Sequence, residues 1–242
     1  MERRKVQPHT LFMALASLAC CATSASAADS NFFAGLDFAI GAASGSSNTV
    51  DGGAPFAGGG IVTDVDFGGT RMIGGHVGYR LTPALSLSLS YRNTQGDIRW
   101  NANFPLFAIS SAFQGSAISN AILGNLALRI PLSTATAARL SAGAGLSFNK
   151  LSGVAEIDRA TGIFLADIEN HTKLRPTAQI GIGLRHHILP RLALGLDGSL
   201  AYAGGFETGT TRSGNLGITD INPYAITDVW RKNIGVSLTV DF

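Results

Sequence analysis

The chain has 242 residues, of which 45% are hydrophobic and only 14% charged, with 30 glycines, 2 cysteines and a formal net charge of +2. This composition excludes a disordered chain, which needs low hydrophobicity and high net charge. It also excludes collagen, which needs a strict glycine period, and it lacks the basic excess of a nucleic-acid binder.

The first element is a targeting segment. Arg3, Arg4 and Lys5 form a basic head, residues 11–19 form a short apolar block, and Ala25-Ser26-Ala27 gives the small-x-small pattern before a signal-peptidase cut. Residues 1–27 are therefore read as a signal peptide and residues 28–242 as the mature domain. Acylation at Cys20 or Cys21 would need a lipobox, which Ser17-Leu18-Ala19 and Leu18-Ala19-Cys20 fit poorly. Both cysteines leave with the peptide, so disulfides and thiolate metal sites are not expected. Losing Arg3, Arg4 and Lys5 takes the basic residues from 18 to 15, and losing Glu2 takes the acidic ones from 16 to 15, so the mature chain is formally neutral.

Beyond residue 30 no apolar run approaches the roughly 20 residues of a membrane helix. The dominant signal is period-two alternation, which marks strands. Strand one sets Phe32, Leu36 and Ile40 against Phe33, Gly35 and Asp37. Strand two sets Ile73, Val77 and Tyr79 against Met72, Gly74, His76 and Arg80. Strand three is the cleanest, with Leu85, Leu87, Leu89 and Tyr91 against Ser86, Ser88, Ser90 and Arg92. Strand four, from about Ile118 to Ile130, opposes Ile122, Leu126 and Leu128 to Asn125 and Arg129. Strand five opposes Leu140, Leu146 and Phe148 to Ser141, Gly143, Ser147 and Asn149. Strand six opposes Leu174, Ile180, Ile182 and Leu184 to Arg175, Gln179 and Arg185. Strand seven opposes Leu192, Leu194, Leu196 and Tyr202 to Gly195 and Asp197. The last opposes Trp230, Ile234, Val236, Leu238, Val240 and Phe242 to Arg231, Gly235, Ser237 and Asp241.

The connections alternate in length. Those at 82–84, 131–138 and 189–191 are short and carry proline, which pre-sets turn geometry. Those at 44–66, 101–115, 152–171 and 205–227 are long. Short turns at one end and long loops at the other describe an all-β fold: an eight-stranded antiparallel up-and-down transmembrane β-barrel, with short periplasmic turns and four long extracellular loops. A soluble lipocalin-like sandwich would also alternate. It would, however, carry many Lys and Glu on its outer face, whereas the second face here is mostly Gly, Ser, Ala and Thr. Small residues suit the crowded interior of an eight-strand barrel. The apolar rows then face lipid, and Tyr79, Tyr91, Trp100, Tyr202 and Trp230 are expected in interfacial girdles.

The final residues 234–242 place Ile234, Val236, Leu238, Val240 and Phe242 at every second position. This resembles the C-terminal assembly signal of Gram-negative outer-membrane β-barrels. The hairpin around Gly75-His76-Val77-Gly78-Tyr79-Arg80-Leu81-Thr82-Pro83 looks like the second and third strands of small OmpA-like and opacity-type porin-family barrels. The peptidoglycan-binding domain of the two-domain OmpA arrangement is not expected here. The resemblance implies export by the Sec route to the outer membrane, passage through periplasmic chaperones, insertion by barrel-assembly machinery that reads the last strand, and a monomer. It also implies contact with outer-membrane lipid and lipopolysaccharide, and no nucleic-acid partner.

Charged residues supply the candidate sites. Inward positions hold Asp37, Arg80, Arg92, Arg129, Arg175, Arg185 and Asp197. In so narrow a lumen they should be paired or hydrated, because an unpaired buried ion is costly. Arg92 or Arg175 is expected to pair with Asp37 or Asp197. Such a cluster reads as a salt-bridged plug or as a thin, anion-favouring water path. The long loops hold nine acids (Asp51, Asp64, Asp66, Glu156, Asp158, Asp167, Glu169, Glu207 and Asp220) against Arg159 and Arg212. These acids either are simply solvated or bind divalent cations bridging lipopolysaccharide phosphates. Phe104, Leu106, Phe107, Ile109 and Phe113, around Pro105, make the second loop unusually apolar. It is expected to be a binding surface, a cover over the barrel mouth, or a headgroup anchor.

Catalytic signals are weak. Outer-membrane lipid A deacylases resemble the chain in size, but His76 is followed by Val77, His186 and His187 lie by a short turn, and His171 has no adjacent acid. Gly52-Gly53 and Gly58-Gly59-Gly60 lack the Lys-Ser/Thr and helix of a phosphate loop. No cofactor, metal site or enzyme activity is expected. The preferred function is a structural, surface-exposed barrel serving envelope integrity and meeting a host or surface ligand through its loops, as a surface antigen would. A narrow channel for small ions and a lipid-modifying enzyme are the alternatives. Removing Phe242 is expected to impair assembly, read as loss of heat-modifiable migration on a gel.

Overall fold

The computed structural model describes residues 31–47, 61–104 and 109–242. The expected signal peptide with its cleavage site, Asp51, the glycine pairs at 52–60, and Leu106 and Phe107 lie outside these residues. In chain order the strands are β1 (Phe32–Ser46), β2 (Ile61–Arg80), β3 (Leu85–Phe104), β4 (Ile109–Pro131), β5 (Thr136–Asp158), β6 (Phe164–Ile168), β7 (His171–Leu189), β8 (Leu192–Tyr202), β9 (Phe206–Glu207), β10 (Thr211–Gly214), β11 (Gly217–Asp220) and β12 (Ala225–Asp241). Eight of them form a closed antiparallel ring, β1-β2-β3-β4-β5-β7-β8-β12, because β12 pairs with both β8 and β1. They are the eight strands expected from the alternation. Closure matters physically, since hydrocarbon offers no partner to a strand edge.

The periplasmic turns are tied by side chains. The Thr82 hydroxyl accepts the N–H groups of Ala84 and Leu85 at 3.2 and 3.0 Å. The Ser133 hydroxyl does the same for Ala135 and Thr136 at 3.3 and 3.0 Å. Each hydroxyl stands in for the backbone partner that a tight turn lacks.

Across the lower part of the ring the faces are inside-out relative to a soluble protein. Leu87, Leu89, Leu126, Leu146, Ile180, Leu194 and Val236 are exposed, while Ser88, Ser90, Asn125, Ser147, Gln179 and Ser237 are buried. Inward glycines make room for the larger inward side chains. A Cβ on Gly35 would sit 2.6 Å from the His76 ring, so this position admits no side chain. Tyr79, Tyr91 and Trp230 face outward near the belt's margins. Tyr202 packs on Trp230 with ring centroids 5.2 Å apart.

Higher up, the polarity reverses. β3 shows it on one strand. Its outward row changes from Leu85, Leu87, Leu89 and Tyr91 to Asn93, Gln95, Asp97, Arg99, Asn101 and Asn103. Its inward row changes from Ser86, Ser88, Ser90, Arg92 and Thr94 to Ile98, Trp100, Ala102 and Phe104, with Gly96 between. The upper barrel is thus a water-facing head with a conventional apolar interior. Its core gathers Val62, Phe67, Ile98, Trp100, Phe104, Phe113, Leu151, Val154, Ile168, Phe206, Tyr224, Ile226 and Val229. Four expectations are corrected by this. Residues 101–104 and 109–115 are strand rather than loop. Trp100, 1% exposed, is a core residue rather than a girdle residue. Phe104 and Phe113, 7% and 1% exposed, do not form a surface loop, because above the belt the inward row is the dry one. The loops expected at 152–171 and 205–227 contain β6, β9, β10 and β11, of which β6, β10 and β11 extend the sheet beyond β5.

Register shifts at Ser44/Ser46, Thr63/Asp66, Phe67/Thr70 and Gln114/Ser116 lie in this head. Bulges of this kind bend and re-aim strands. Asp64 and Asp228, both at φ 53°, adopt the left-handed conformation there. Leu126→Arg, placed in the belt, is expected to destabilise the barrel by about 2–4 kcal/mol. Ser116→Arg, on the head's outer face opposite Asp97, should stay within about 0.5 kcal/mol of wild type. Urea unfolding in liposomes measures both.

Candidate functional site

Among the described residues the lumen gathers a set of inward charges, and it is built in three tiers. At the periplasmic mouth Arg80, Arg129, Arg139, Arg185 and His187 surround a cavity of about 30 Å³. Arg80 is ion-paired to Asp241 on the closing strand, and its guanidinium lies 5.7 Å from the centroid of the Phe33 ring.

The middle tier is a hydrogen-bonded polar layer. Asp37 accepts from His76 Nδ1 at 3.1 Å. Arg92 donates to the Gln179 side chain, whose Nε2 donates to Asn125 Oδ1 at 2.6 Å, and Asn125 Nδ2 donates to Ser90 at 2.9 Å. Asp197 receives the Ser237 hydroxyl at 2.7 Å and lies 3.7 Å from Arg139. A cavity of about 40 Å³ remains among Asp37, Arg92, Arg139, Gln179 and Asp197. That is room for a few water molecules at most, by comparison with the roughly 10–15 Å³ one water needs.

All seven sequence-predicted charges face inward, but they are not one cluster. Arg80, Arg129 and Arg185 belong to the mouth, and Asp37, Arg92 and Asp197 to the middle. Arg175 lies higher, 3.7 Å from Glu207. The expected pairing of Arg92 or Arg175 with Asp37 or Asp197 is corrected. Asp37 pairs with His76, its diagonal neighbour across β1 and β2, and Asp197 pairs with Arg139. Arg139 and the partner role of His76 were missed by sequence reasoning. The parity of Arg139 with inward Ser141 and Gly143 was the available signal.

One geometry in this tier has the connectivity of a nucleophilic triad: Asp37 to His76 Nδ1, and His76 Nε2 to the Thr239 hydroxyl at 3.5 Å. A nucleophile must meet a substrate, and Thr239 is 0% exposed. In this arrangement the three side chains satisfy one another and fill the lumen.

The third tier is the lid. Trp100 and Phe113 stack at 5.3 Å with rings nearly parallel, Tyr224 packs on Phe113 at 4.8 Å, and Phe206 approaches Phe67 at 6.3 Å. Phe206 and Tyr224 come from the fourth long connection, which enters the mouth by pairing β9 with β12. Polar groups fasten it. Asn149 donates to the carbonyls of Ala203 and Gly205 at 2.6 and 2.9 Å, and Glu207 pairs with Lys173 and Arg175. The half-buried Arg212 on β10 donates to Glu156 at 2.6 Å, and Ser111 donates to the same carboxylate at 2.7 Å. Two of the acids expected to be solvated or cation-binding, Glu156 and Glu207, are instead partners of basic side chains within the head.

On the closing strand, Ile234 and Val236 face outward, Val240 is covered, and the Phe242 N–H reaches the Phe32 carbonyl at 3.1 Å. The ring ends beside its own beginning.

A closed antiparallel ring with an apolar outer belt, a polar lumen and short turns at one end defines an outer-membrane barrel protein. The sequence matches the family described as outer membrane protein beta-barrel domain over residues 13–242, and the chain belongs to that family, which places it in the outer membrane of a Gram-negative cell. Among solved structures it is similar to Neisserial surface protein A, with 14% identity, 88% of this chain and 98% of that chain covered, and a TM-score of 0.45. It is also similar to OprG from Pseudomonas aeruginosa, with 12% identity, 88% and 97% coverage and a TM-score of 0.49. The attachment invasion locus protein Ail of Yersinia pestis has 10% identity, 87% and 99% coverage and a TM-score of 0.38. Comparison with curated protein sequences returned no match.

Glu207→Gln removes the countercharge of Lys173 and Arg175. All three side chains are partly solvated, so the expected cost is about 1–2 kcal/mol, below that of a dry pair. Hydrogen exchange should accelerate at the amides of residues 203–226 and leave β3 to β5 within the belt unchanged.

Proposed function

We propose that this protein is a sealed, non-catalytic barrel that holds a strand-built head at the cell surface, serving envelope integrity and surface contact. The observation that carries this reading is the apolar lid formed by Trp100, Phe113, Phe206 and Tyr224 across the extracellular end of the lumen. A conducting path through eight strands would have to cross this dry layer, and lumens of that size are filled by side chains. The burial of Thr239 favours a packing role for Asp37 and His76 over lipid-modifying chemistry.

In this reading the chain is exported with a cleaved signal peptide and escorted by periplasmic chaperones. It is inserted as a monomer by machinery that engages β12 and Phe242. Its exposed head presents the β10–β11 hairpin, with Leu216 and Ile218 at 75% and 79% exposure, as the surface an antibody or host ligand would meet.

In planar bilayers the wild-type protein is expected to show no steady pore, and the Phe206→Ala/Tyr224→Ala double variant to show short, irregular openings. A large, constant conductance from the wild type would overturn the sealed reading in favour of a channel.

A further inference from the structure

Arg71 and Lys232 are outward-facing cations whose side chains make no ion pair or hydrogen bond among the described residues. They stand on β2 and β12, the two strands flanking β1, and line one open depression of about 760 Å³ on the outer wall. Arg71 stands opposite Ile40 and Lys232 opposite Ala42, so two strand spacings and a two-residue stagger put their backbones roughly 12 Å apart, within converging reach of both side chains. Below them the same wall is lipid-facing: Ile40, Ile73 and Ile234 are 67%, 43% and 58% exposed. Above them it belongs to the water-facing head, where Asp64, Asp66 and Asp228 follow on the same two strands. The two cations therefore sit at the upper margin of the apolar belt, at the height of the outer leaflet's headgroups. On β1 between them stand Ile40 and the small Ala42, and Gly41 and Gly69 also line the depression. Past Arg71 the depression continues into a second groove of about 440 Å³, where Asn93, Gln95 and Asp97 supply amides and a carboxylate.

We propose that this wall of β12, β1 and β2 binds the phosphorylated sugar headgroup of an outer-leaflet glycolipid. The inference rests on the membrane-spanning reading of the barrel. Each part of such a lipid meets a matching chemistry. The acyl chains lie along Ile40, Ile73 and Ile234, and a phosphate sits between Arg71 and Lys232, where charge-assisted hydrogen bonds are strongest. The sugar hydroxyls face Gln95, Asn93 and Asp97. A glycerol phosphate headgroup would leave the amide groove unused. Asp97 makes no ion pair with Arg71, so the guanidinium remains available to the phosphate, and the carboxylate limits how high the phosphate can ride.

The test uses the full chain in detergent micelles, with native mass spectrometry counting retained lipid. Wild type is expected to retain diphosphoryl lipid A. Arg71→Gln/Lys232→Gln should retain it about tenfold less well, as expected for the loss of two solvent-exposed charge contacts, and Asp97→Asn should retain it better. Dephosphorylated lipid A should bind wild type no better than the double variant binds the phosphorylated form. This arm needs no substitution and decides the matter should the variant fail to fold. Equal retention of the two lipid forms, or equal competition by phosphatidylglycerol or inorganic phosphate, would overturn the proposal. Outer-membrane fractionation and heat-modifiable migration of the same wild-type protein report separately on the membrane reading.

Discussion

Inside hydrocarbon a peptide group that is not hydrogen-bonded to another peptide group is bonded to nothing, at a cost of several kcal/mol each. The ring of eight strands answers that constraint, and the rest of the structure follows from it. Closure requires β12 to lie between β8 and β1, which brings the last residue beside the first strand. A ring of eight leaves an interior only as wide as its side chains. Glycine and serine must therefore alternate with the few large polar groups, and those groups must satisfy one another. Asp37 with His76, Asp197 with Arg139 and Ser237, and Arg92 with Gln179 are the local solutions.

The strands outlast the bilayer, and once in water the same pleat must obey the opposite rule. Each face keeps its direction but exchanges its chemistry, as β3 shows between Tyr91 and Ile98. The molecule is in effect two proteins on one set of strands: a membrane barrel filled with polar groups and a soluble barrel filled with aromatic ones. The boundary between them coincides with the first outward charges, Arg71, Lys150 and Lys232.

Strand count, antiparallel order, the short turns and the lipid-facing rows were legible from alternation alone, because a period of two is a local property. The head was not, although its alternation is just as regular. Leu, Tyr and Ile outward had become the rule, so Asn101 and Asn103 outward read as loop, and Trp100 and Phe113 inward read as surface. What identifies the change is the simultaneous exchange of both faces, which is visible only if the row of Ser88, Ser90 and Arg92 is followed on to Trp100. Pairing within the lumen was illegible for a different reason. Which residue meets Asp37 depends on the β1–β2 register, with Gly35 opposite His76, and on the reach of an imidazole compared with a guanidinium. Neither quantity is written along the chain. The use of Glu156 and Glu207 as internal ion-pair partners likewise depends on where β9 and β10 fold back.

The aromatic lid has a consequence for how the molecule reaches its final place. Its rings come from β2, β3, β4 and the long fourth connection, and all of them must reach the far side of the bilayer before they can meet. Only on the far side do they coalesce, and the free energy released by that condensation becomes available after translocation and not before. The head therefore works as a one-way latch: once its rings have packed, pulling any single strand back would mean dissolving a core the membrane cannot hold.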